Sequence, residues 1–320
     1  MTRAISDITY GALVGATDPT RGASSALQAT WQLFRAARSA DVILTNEGKR
    51  SPVGLVLLAA LLVLTRQRKL VLSEFLPGTR RGLRGWLTTN GYRLFLPRAL
   101  LGAQVMTAWE RDDYASRYKI APERLKLIPF YYFDDRVVTE PREWSPDGRV
   151  GYLSTGKNSC DWSTVIQAAE GQNWPLTIAC KRSEFDEHSE AAGHAGIEMR
   201  SNIPRAEHDE KLAHSQLLIV ALKERRLSAG HVRLMTAATY GTPVIATRVS
   251  GIRGYEELAA ALVEPGDAES LRAGVASLMA DPDELREQMN RVRSFARSRP
   301  YSVYASELRS FVLKASDQGR

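Results

Sequence analysis

Ser228 to Glu257, SAGHVRLMTAATYGTPVIATRVSGIRGYEE, constrains the fold of this 320-residue chain more than any other stretch. Ser228-Ala229-Gly230 sits where a helix should begin, because Val232, Met235, Ala238 and Thr239 follow at helical spacing. Free backbone N–H groups and the positive end of the helix dipole emerge from such a terminus, and small residues let an anion come close. Gly241-Thr242-Pro243 then stops the helix, and Val244-Ile245-Ala246-Thr247 has the composition of a buried strand in a parallel sheet. A second glycine turn, Gly251 to Gly254, follows.

The order of these pieces, with Val263-Glu264-Pro265-Gly266-Asp267 and Leu271 to Leu278 behind them, resembles the C-terminal nucleotide-sugar domain of GT-B glycosyltransferases. It is most similar to the large retaining group called family 4. The pattern there is an acidic residue, a glycine turn, a helix with Glu-Ala-Met-Ala, then Gly-x-Pro-Val-Ile-Ala-Thr, a Gly-Gly turn and Pro-Gly-Asp. The resemblance is closest over residues 228 to 315, looser over 104 to 182 and slight over the first 100.

Elsewhere the chain alternates strand and helix patterns, which means βαβ units and parallel sheets. Strands are expected at Ala12 to Val14, Asp41 to Thr45, Lys69 to Leu72, Gln104 to Thr107, Leu125 to Pro129, Val150 to Leu153, Leu176 to Ala179 and Leu217 to Leu222. Helices are expected at Ser25 to Ala37, 52 to 65, Glu110 to Tyr118, Trp162 to Ala169, Asp281 to Ser298 and Tyr301 to Ala315. Ala121-Pro122-Glu123-Arg124-Leu125 and the corner Ile128 to Asp134 resemble the end of a GT-B N-domain, without its usual Asn-Gly. Thr139 to Gly148 reads as a linker. The fold class is therefore α/β, GT-B, two Rossmann-like parallel-sheet domains facing a cleft. The expected division is an acceptor-binding domain 1–140, a nucleotide-sugar-binding domain 149–300, and a helix 301–320 crossing back to the N-domain.

Composition narrows the function classes. The apolar fraction of 44% supports two cores of ordinary size. Cys160 and Cys180, 20 residues apart with no metal-ligand spacing, indicate neither zinc nor a disulfide framework and fit a reduced cytoplasm. The segment after Met1 carries Arg3, Asp7 and Asp18, so no signal peptide is expected, and the apolar run Val53 to Leu64 is too short to span a bilayer.

The whole net charge of +7 resides in residues 51 to 100, which hold eight basic residues against Glu74 alone. Arg80, Arg81 and Arg84 stand there beside Trp86, Tyr92 and Phe95. Such a basic aromatic face suits anionic lipid, a phosphorylated acceptor or nucleic acid; the membrane surface is favoured, with an ordinary solvated helix edge as the bland alternative. Common nucleic-acid recognition motifs are missing, so nucleic acid is not an expected partner. Residues 66–98, and within them Arg80, Arg81, Arg84 and Trp86, form the expected membrane or acceptor face of a cytoplasmic protein held peripherally at the inner face of a membrane.

The resemblance implies a donor diphosphate bound against the C-domain, leaving without a metal. Ser228, Gly230 and the amide of His231 would hold it, and Lys157, in Gly156-Lys157-Asn158 after the first C-domain strand, would supply a cation. The segment Gly156 to Trp162 is similar to a subgroup reading Gly-Arg-Ser-x-Arg-Asp-Trp, with Cys160 in place of its second arginine. Lys181, Arg182, Lys223 or Arg225, each just past a strand's C-terminal end, are the expected substitutes. The positions of two glutamates that many members place on sugar and ribose hold Ser228 and Thr236. Gly156, Asn158, Lys181, Arg182, Thr236 and Glu257 are the expected contacts to donor sugar or nucleoside, with Glu256 a weaker one. All five histidines follow the linker, which leaves Glu47, Glu110 and Asp112 as carboxylates at N-domain strand ends. Glu47 and Asp112 are the catalytic candidates, set to orient the acceptor hydroxyl or take its proton.

The expected activity is transfer of a hexose from a nucleotide-diphosphate sugar, UDP-sugar ahead of GDP-sugar, to an acceptor hydroxyl on a polysaccharide, lipid-linked or small-molecule glycoside. Transfer with retention, no metal and no cofactor is expected. The alternative is a catalytically inactive GT-B relative that binds a nucleotide sugar or a partner protein.

Overall fold

A computed structural model of the chain describes residues 2–77, 82–130, 143–225 and 227–319. Arg80, Arg81, residues 131–134 of the Ile-Pro corner and residues 139–142 of the expected linker lie outside them. The chain divides into two units, Met1–Pro129 with Ser302–Arg320, and Phe130–Tyr301.

The first unit is built on a parallel sheet whose strands stand side by side in chain order: β1 (Ala4–Ser6), β2 (Val42–Thr45), β3 (Leu70–Leu72), β4 (Leu100–Val105) and β5 (Leu125–Leu127). Each crossover carries a helix, α1 (Ala26–Ala36), α2 (Glu47–Leu64), α3 (Gly82–Ala99) and α4 (Ala108–Tyr118). Strands advancing in one direction through right-handed crossovers put all four helices on one face, and α1 packs on α2, α2 on α3 and α3 on α4. Leu33, Leu58, Leu62, Phe75, Tyr92 and Tyr114 fill the space between them and the sheet. Local chemistry sets the helix starts. Ser25 and Asn46 accept the Gln28 and Lys49 N–H groups at 3.2 and 2.8 Å, and Thr107 with Glu110 forms a capping box. Ser51 leaves helical geometry at φ 62° and ψ 157°, the extended ψ that a following Pro52 requires, and this kinks α2 after its first turn.

The second unit holds β6 (Tyr152–Thr155), β7 (Leu176–Cys180), β8 (Glu198–Ser201), β9 (Leu217–Val220), β10 (Val244–Thr247) and β11 (Ala261–Val263). All are parallel, in the order β11-β10-β9-β6-β7-β8. Its helices are α5 (Trp162–Ala169), α6 (Arg182–His194), α7 (Arg205–His214), α8 (His231–Tyr240), α9 (Ala268–Ala280) and α10 (Pro282–Ser298). The order reverses between β6 and β9, which makes the crevice outside their C-terminal ends the ligand position of a doubly wound sheet. The buried Arg149 anchors the opposite end of α8, donating to the Tyr240 and Ser215 carbonyls, each at 3.0 Å, and to Thr242 Oγ1 at 3.1 Å.

The last helix, α11 (Tyr301–Gln318), packs on the first unit, on the face of its sheet turned away from α1 to α4. Along β4, Ala103 and Val105 enter the core under the helices. Gly102 and Gln104, with the opposite side-chain parity, meet α11 through Phe311 and Tyr304.

Several elements differ from the sequence reading. Residues 12–14 belong to a 3₁₀ helix, Thr9–Val14, because β1 ends at Ser6 and Gly11 folds back against it; Gly15, at φ 64°, closes the turn. The strand expected at Gln104 to Thr107 begins at Leu100 and ends at Val105, since Met106 and Thr107 donate their N–H groups to Glu110. Helix α3 and the run α6-β8-α7 were not expected, the latter because it is polar and buries only Ala192 in α6 and Leu212 and Ala213 in α7.

A Cβ at Gly102 would stand 2.7 Å from the Phe311 ring. Gly102→Ala should cost about 1–3 kcal/mol by overpacking, with part regained when Phe311→Leu is added. Urea unfolding measures it, and an unchanged midpoint in the single variant would remove close packing of α11 as the reason for this glycine.

Candidate functional site

The C-terminal edge of the second sheet is knitted from loops. After β6, Cys160 pairs with Leu222 beyond β9, the Lys223 N–H donates to the Ser159 carbonyl at 2.8 Å and the Asp161 N–H to Ala221 at 3.0 Å. Thr247, at the end of β10, accepts the Leu222 N–H at 2.9 Å. The second glycine turn closes on the first: the Ala229 N–H donates to the Gly251 carbonyl at 3.2 Å, and a Cβ on Gly251 would lie 2.8 Å from the Leu227 oxygen. Glu224 holds that turn through the Ser250 N–H at 2.8 Å and its hydroxyl.

Gly230 is the N-cap of α8 at φ 97°, a conformation open to glycine. A Cβ there would also meet Leu222 at 2.7 Å. Ser228 and His231 are both buried. The His231 ring lies between Phe130 and Tyr255, with centroids 5.9 and 5.3 Å away. Burial, and secondarily the charge of Arg233, pushes its imidazole down to about 4, so it is neutral at pH 7.

Arg233, two residues into the same helix, joins the two halves of the site. Its Nη1 donates to the Thr155 carbonyl at the end of β6 and lies 3.7 Å from the Cys160 sulfur. A Cβ on Gly156 would collide with that guanidinium and that sulfur. The first turn of α8 and the Gly156-Lys157 turn therefore meet at one place. Burial pushes the Cys160 thiol up, with the guanidinium opposing.

Two cavities open beside this junction, and Lys157 lines both. One, of about 270 Å³, is walled by Lys157, Lys181, Lys223 and Arg225, with Glu184 and Glu187 on the same wall as Asn158 and His188. The other, of about 330 Å³, has Gly156, Ala179, Cys180, Asn202 and Ile203 on its walls. Lys181 donates to Asn158 Oδ1 at 3.3 Å across the first. Three of the four cations expected to substitute for an arginine at 160 thus converge, Lys181, Lys223 and Arg225.

Arg182 lines neither cavity: it begins α6, pairs with Asp186 at 2.9 Å and lies over the Phe185 ring. The buried Thr236 hydroxyl donates to the Val232 carbonyl of its own helix at 2.8 Å. Glu257 is exposed in the 3₁₀ turn Glu256–Leu258, whereas Glu256 accepts the Gly254 N–H at 2.5 Å. Val232, expected on the apolar side of α8, faces solvent.

In the first unit, Glu47 is buried at the start of α2, beside a buried ion pair between Arg50 Nε and Asp7 Oδ2 at 2.5 Å. Burial raises the Asp7 carboxyl, with the neighbouring Thr45 hydroxyl and the Arg50 charge opposing. Glu110 is consumed by the cap of α4, and Asp112 stands on that helix's exposed side, 3.4 Å from Arg111. Arg84 and Trp86 are exposed on α3.

Sequence reasoning missed Arg233 and Glu224. The segment that holds Arg233 was read for its small and apolar positions, and only the fold brings that side chain to Gly156.

Residues 152–294 match the family glycosyl transferases group 1. No curated protein matches the chain in sequence. Among solved structures, Alr3699/HepE from Anabaena, in complex with UDP, is 13% identical with a TM-score of 0.67, covering 89% of this chain and 82% of that one. A glycosyltransferase from Rickettsia africae is 12% identical with a TM-score of 0.69, over 94% and 84%. WaaG, a glycosyltransferase involved in lipopolysaccharide biosynthesis, is 17% identical with a TM-score of 0.57, over 91% and 95%. These likenesses carry the two-domain GT-B fold, and the family match carries the activity. The segment 152–294 is thus similar to a glycosyl transferases group 1 domain, and the chain is a glycosyltransferase of GT-B fold.

Proposed function

We propose that the enzyme moves a hexose from a nucleotide-diphosphate sugar to an acceptor hydroxyl with retention and without a metal. The observation that carries this reading is the junction of the α8 N-terminus with the Gly156-Lys157 turn, beside a cavity whose lining holds four cations against two glutamates. Lys157, Ser228, Gly230 and the His231 amide would hold the diphosphate. As the bond from sugar to phosphate breaks, charge grows on the leaving oxygens, and fixed N–H donors and cations stabilise it. The acceptor oxygen forms the new bond to the sugar carbon, and the departing phosphate takes its proton. Gly156, Asn158 and Lys181 are proposed for nucleoside or sugar, and the bound UDP of Alr3699/HepE supports a UDP-sugar. Glu47 and Asp112 are the proposed acceptor-side carboxylates, the buried Glu47 ahead of the solvated Asp112. The acceptor is proposed to be a polysaccharide, lipid-linked or small-molecule glycoside.

Peripheral contact with an anionic membrane is part of the same proposal. Nine of the eleven exposed large apolar side chains among the described residues lie on α1, α2 and α3, among them Leu27, Trp31, Val53, Leu64, Trp86 and Leu87. The one acid on those helices, Glu47, is buried, while Arg35, Arg84, Arg93 and Arg98 are exposed. An apolar face with arginines and no exposed carboxylate suits the boundary of an anionic bilayer. The supported surface is wider than residues 66–98. No helix among the described residues is long and apolar enough to cross a membrane.

A panel of nucleoside diphosphates tests the donor site. At 100 times its dissociation constant the matching one should stabilise the protein by about 2.7 kcal/mol, and Lys157→Gln should lose much of that shift. Lys157 is a cleaner probe than Gly230, where any side chain collides. Absence of a shift with every diphosphate would sink the assignment, and binding without turnover of any sugar donor would leave a non-catalytic role.

The His231 ring predicts a pH dependence. The unfolded imidazole protonates near the ordinary 6.5, and the folded one resists until about 4. Its contribution is intact above about 6.5 and lost as pH falls toward 4, by roughly 3 kcal/mol. Urea unfolding at pH 7.5 and 4.5 should show a larger drop in the native protein than in His231→Leu, and equal drops would refute the buried neutral ring.

For the membrane contact, co-sedimentation with vesicles rich in phosphatidylglycerol should exceed that with phosphatidylcholine alone. Trp86→Glu with Leu87→Glu should abolish it, and indifference to both lipid charge and these substitutions would exclude the helical face.

A further inference from the structure

Arg233 occupies a position that local electrostatics disfavours. The first turn of a helix carries the positive end of the dipole and prefers carboxylates, yet α8 has no acid there and presents an arginine as its third residue. Among the described residues no carboxylate lies within ion-pair distance of that guanidinium. Its contacts are made through Nη1, to the Thr155 carbonyl and the Cys160 sulfur. The head group stays half-buried rather than extending into solvent.

The surroundings are shaped for it. Gly156 cannot carry a Cβ without striking the guanidinium, and Cys160, small and uncharged, leaves the space that an arginine at that position would fill. Lys157 follows Gly156 directly, and Lys181, Lys223 and Arg225 line the cavity that Lys157 and Cys160 border, with Glu184 and Glu187. With no carboxylate to pair with and the positive end of the helix dipole beside it, the guanidinium is suited to an anion brought in against the Gly156-Lys157 turn. With Nη1 fixed, the remaining edge of the planar fork matches two oxygens of one phosphate.

Building on the donor-site reading above, we infer that Arg233 is a diphosphate-binding residue of this enzyme, delivered from α8 into the space beside Cys160, where it takes the place of the second arginine of the resembled Gly-Arg-Ser-x-Arg segment. The thiol at 160 and the arginine at 233 are therefore a coupled pair: either position can supply the charge, and both together would crowd and repel.

The test is calorimetric binding of UDP and uridine to the full chain, or of whichever diphosphate and nucleoside pair the native protein prefers. Arg233→Gln should weaken the diphosphate at least tenfold and leave the nucleoside within twofold, Arg233→Lys should fall between, and Cys160→Arg added to Arg233→Gln should restore much of the loss. Since a variant can fail to fold, the native protein supplies a second readout. Phenylglyoxal modification at Arg233, mapped by peptide mass, should be blocked by the diphosphate and not by the nucleoside. A native protein that binds no diphosphate would overturn the donor site itself. A native protein that binds it, with Arg233→Gln binding equally or Arg233 unprotected, would overturn this inference alone.

Discussion

Parallel pairing of β6 with β9 in the middle of the second sheet is the constraint on which the site depends. Because the winding reverses there, the loops leaving those strands diverge in opposite directions and open a crevice between them. Every group in the junction is placed relative to that opening. Lys157 leaves β6, Lys223 and Arg225 leave β9, and α8 returns its first turn to the gap. The glycines at 156, 230 and 251 then share a purpose, since each marks a close approach that any side chain would obstruct.

The first unit solves a different problem. Its strands run in one direction across the sheet, so no reversal opens a crevice, and its polar interior gathers at Asp7, Thr45, Glu47 and Arg50 near the ends of β1 and β2. A buried ion pair seldom adds net stability compared with apolar packing. Retaining one at the edge where Glu47 also lies trades stability for a fixed arrangement of charge.

Much of the architecture was legible in the sequence because it rests on local signals. The helix from Trp162 to Ala169 and the strand from Val244 to Thr247 were read at their observed bounds, each being a short apolar pattern with clear stops. The run α6-β8-α7 was not, because its elements are polar and gain stability from neighbours rather than from an apolar face of their own. At the site, Lys157 was visible as a cation directly after a strand. Arg182 has the same sequence logic, yet its helix turns it toward Asp186. Arg233 illustrates the reverse: nothing in its spacing points to Gly156, and a contact across 78 positions exists only once the sheet has formed.

The placement of α11 has a consequence for synthesis. The face of the first sheet that carries Gly102 and Gln104 is covered by residues from the end of the chain, and the whole segment Phe130–Tyr301 is made in between. At a translation rate of 5–20 residues per second that interval lasts roughly 10–30 s. A first unit that folds as it is made would in that interval have helices on one side of its sheet and an uncovered face on the other, with Leu101 open to water or to a chaperone. The enzyme thus completes the domain it began with only after finishing the domain it makes second.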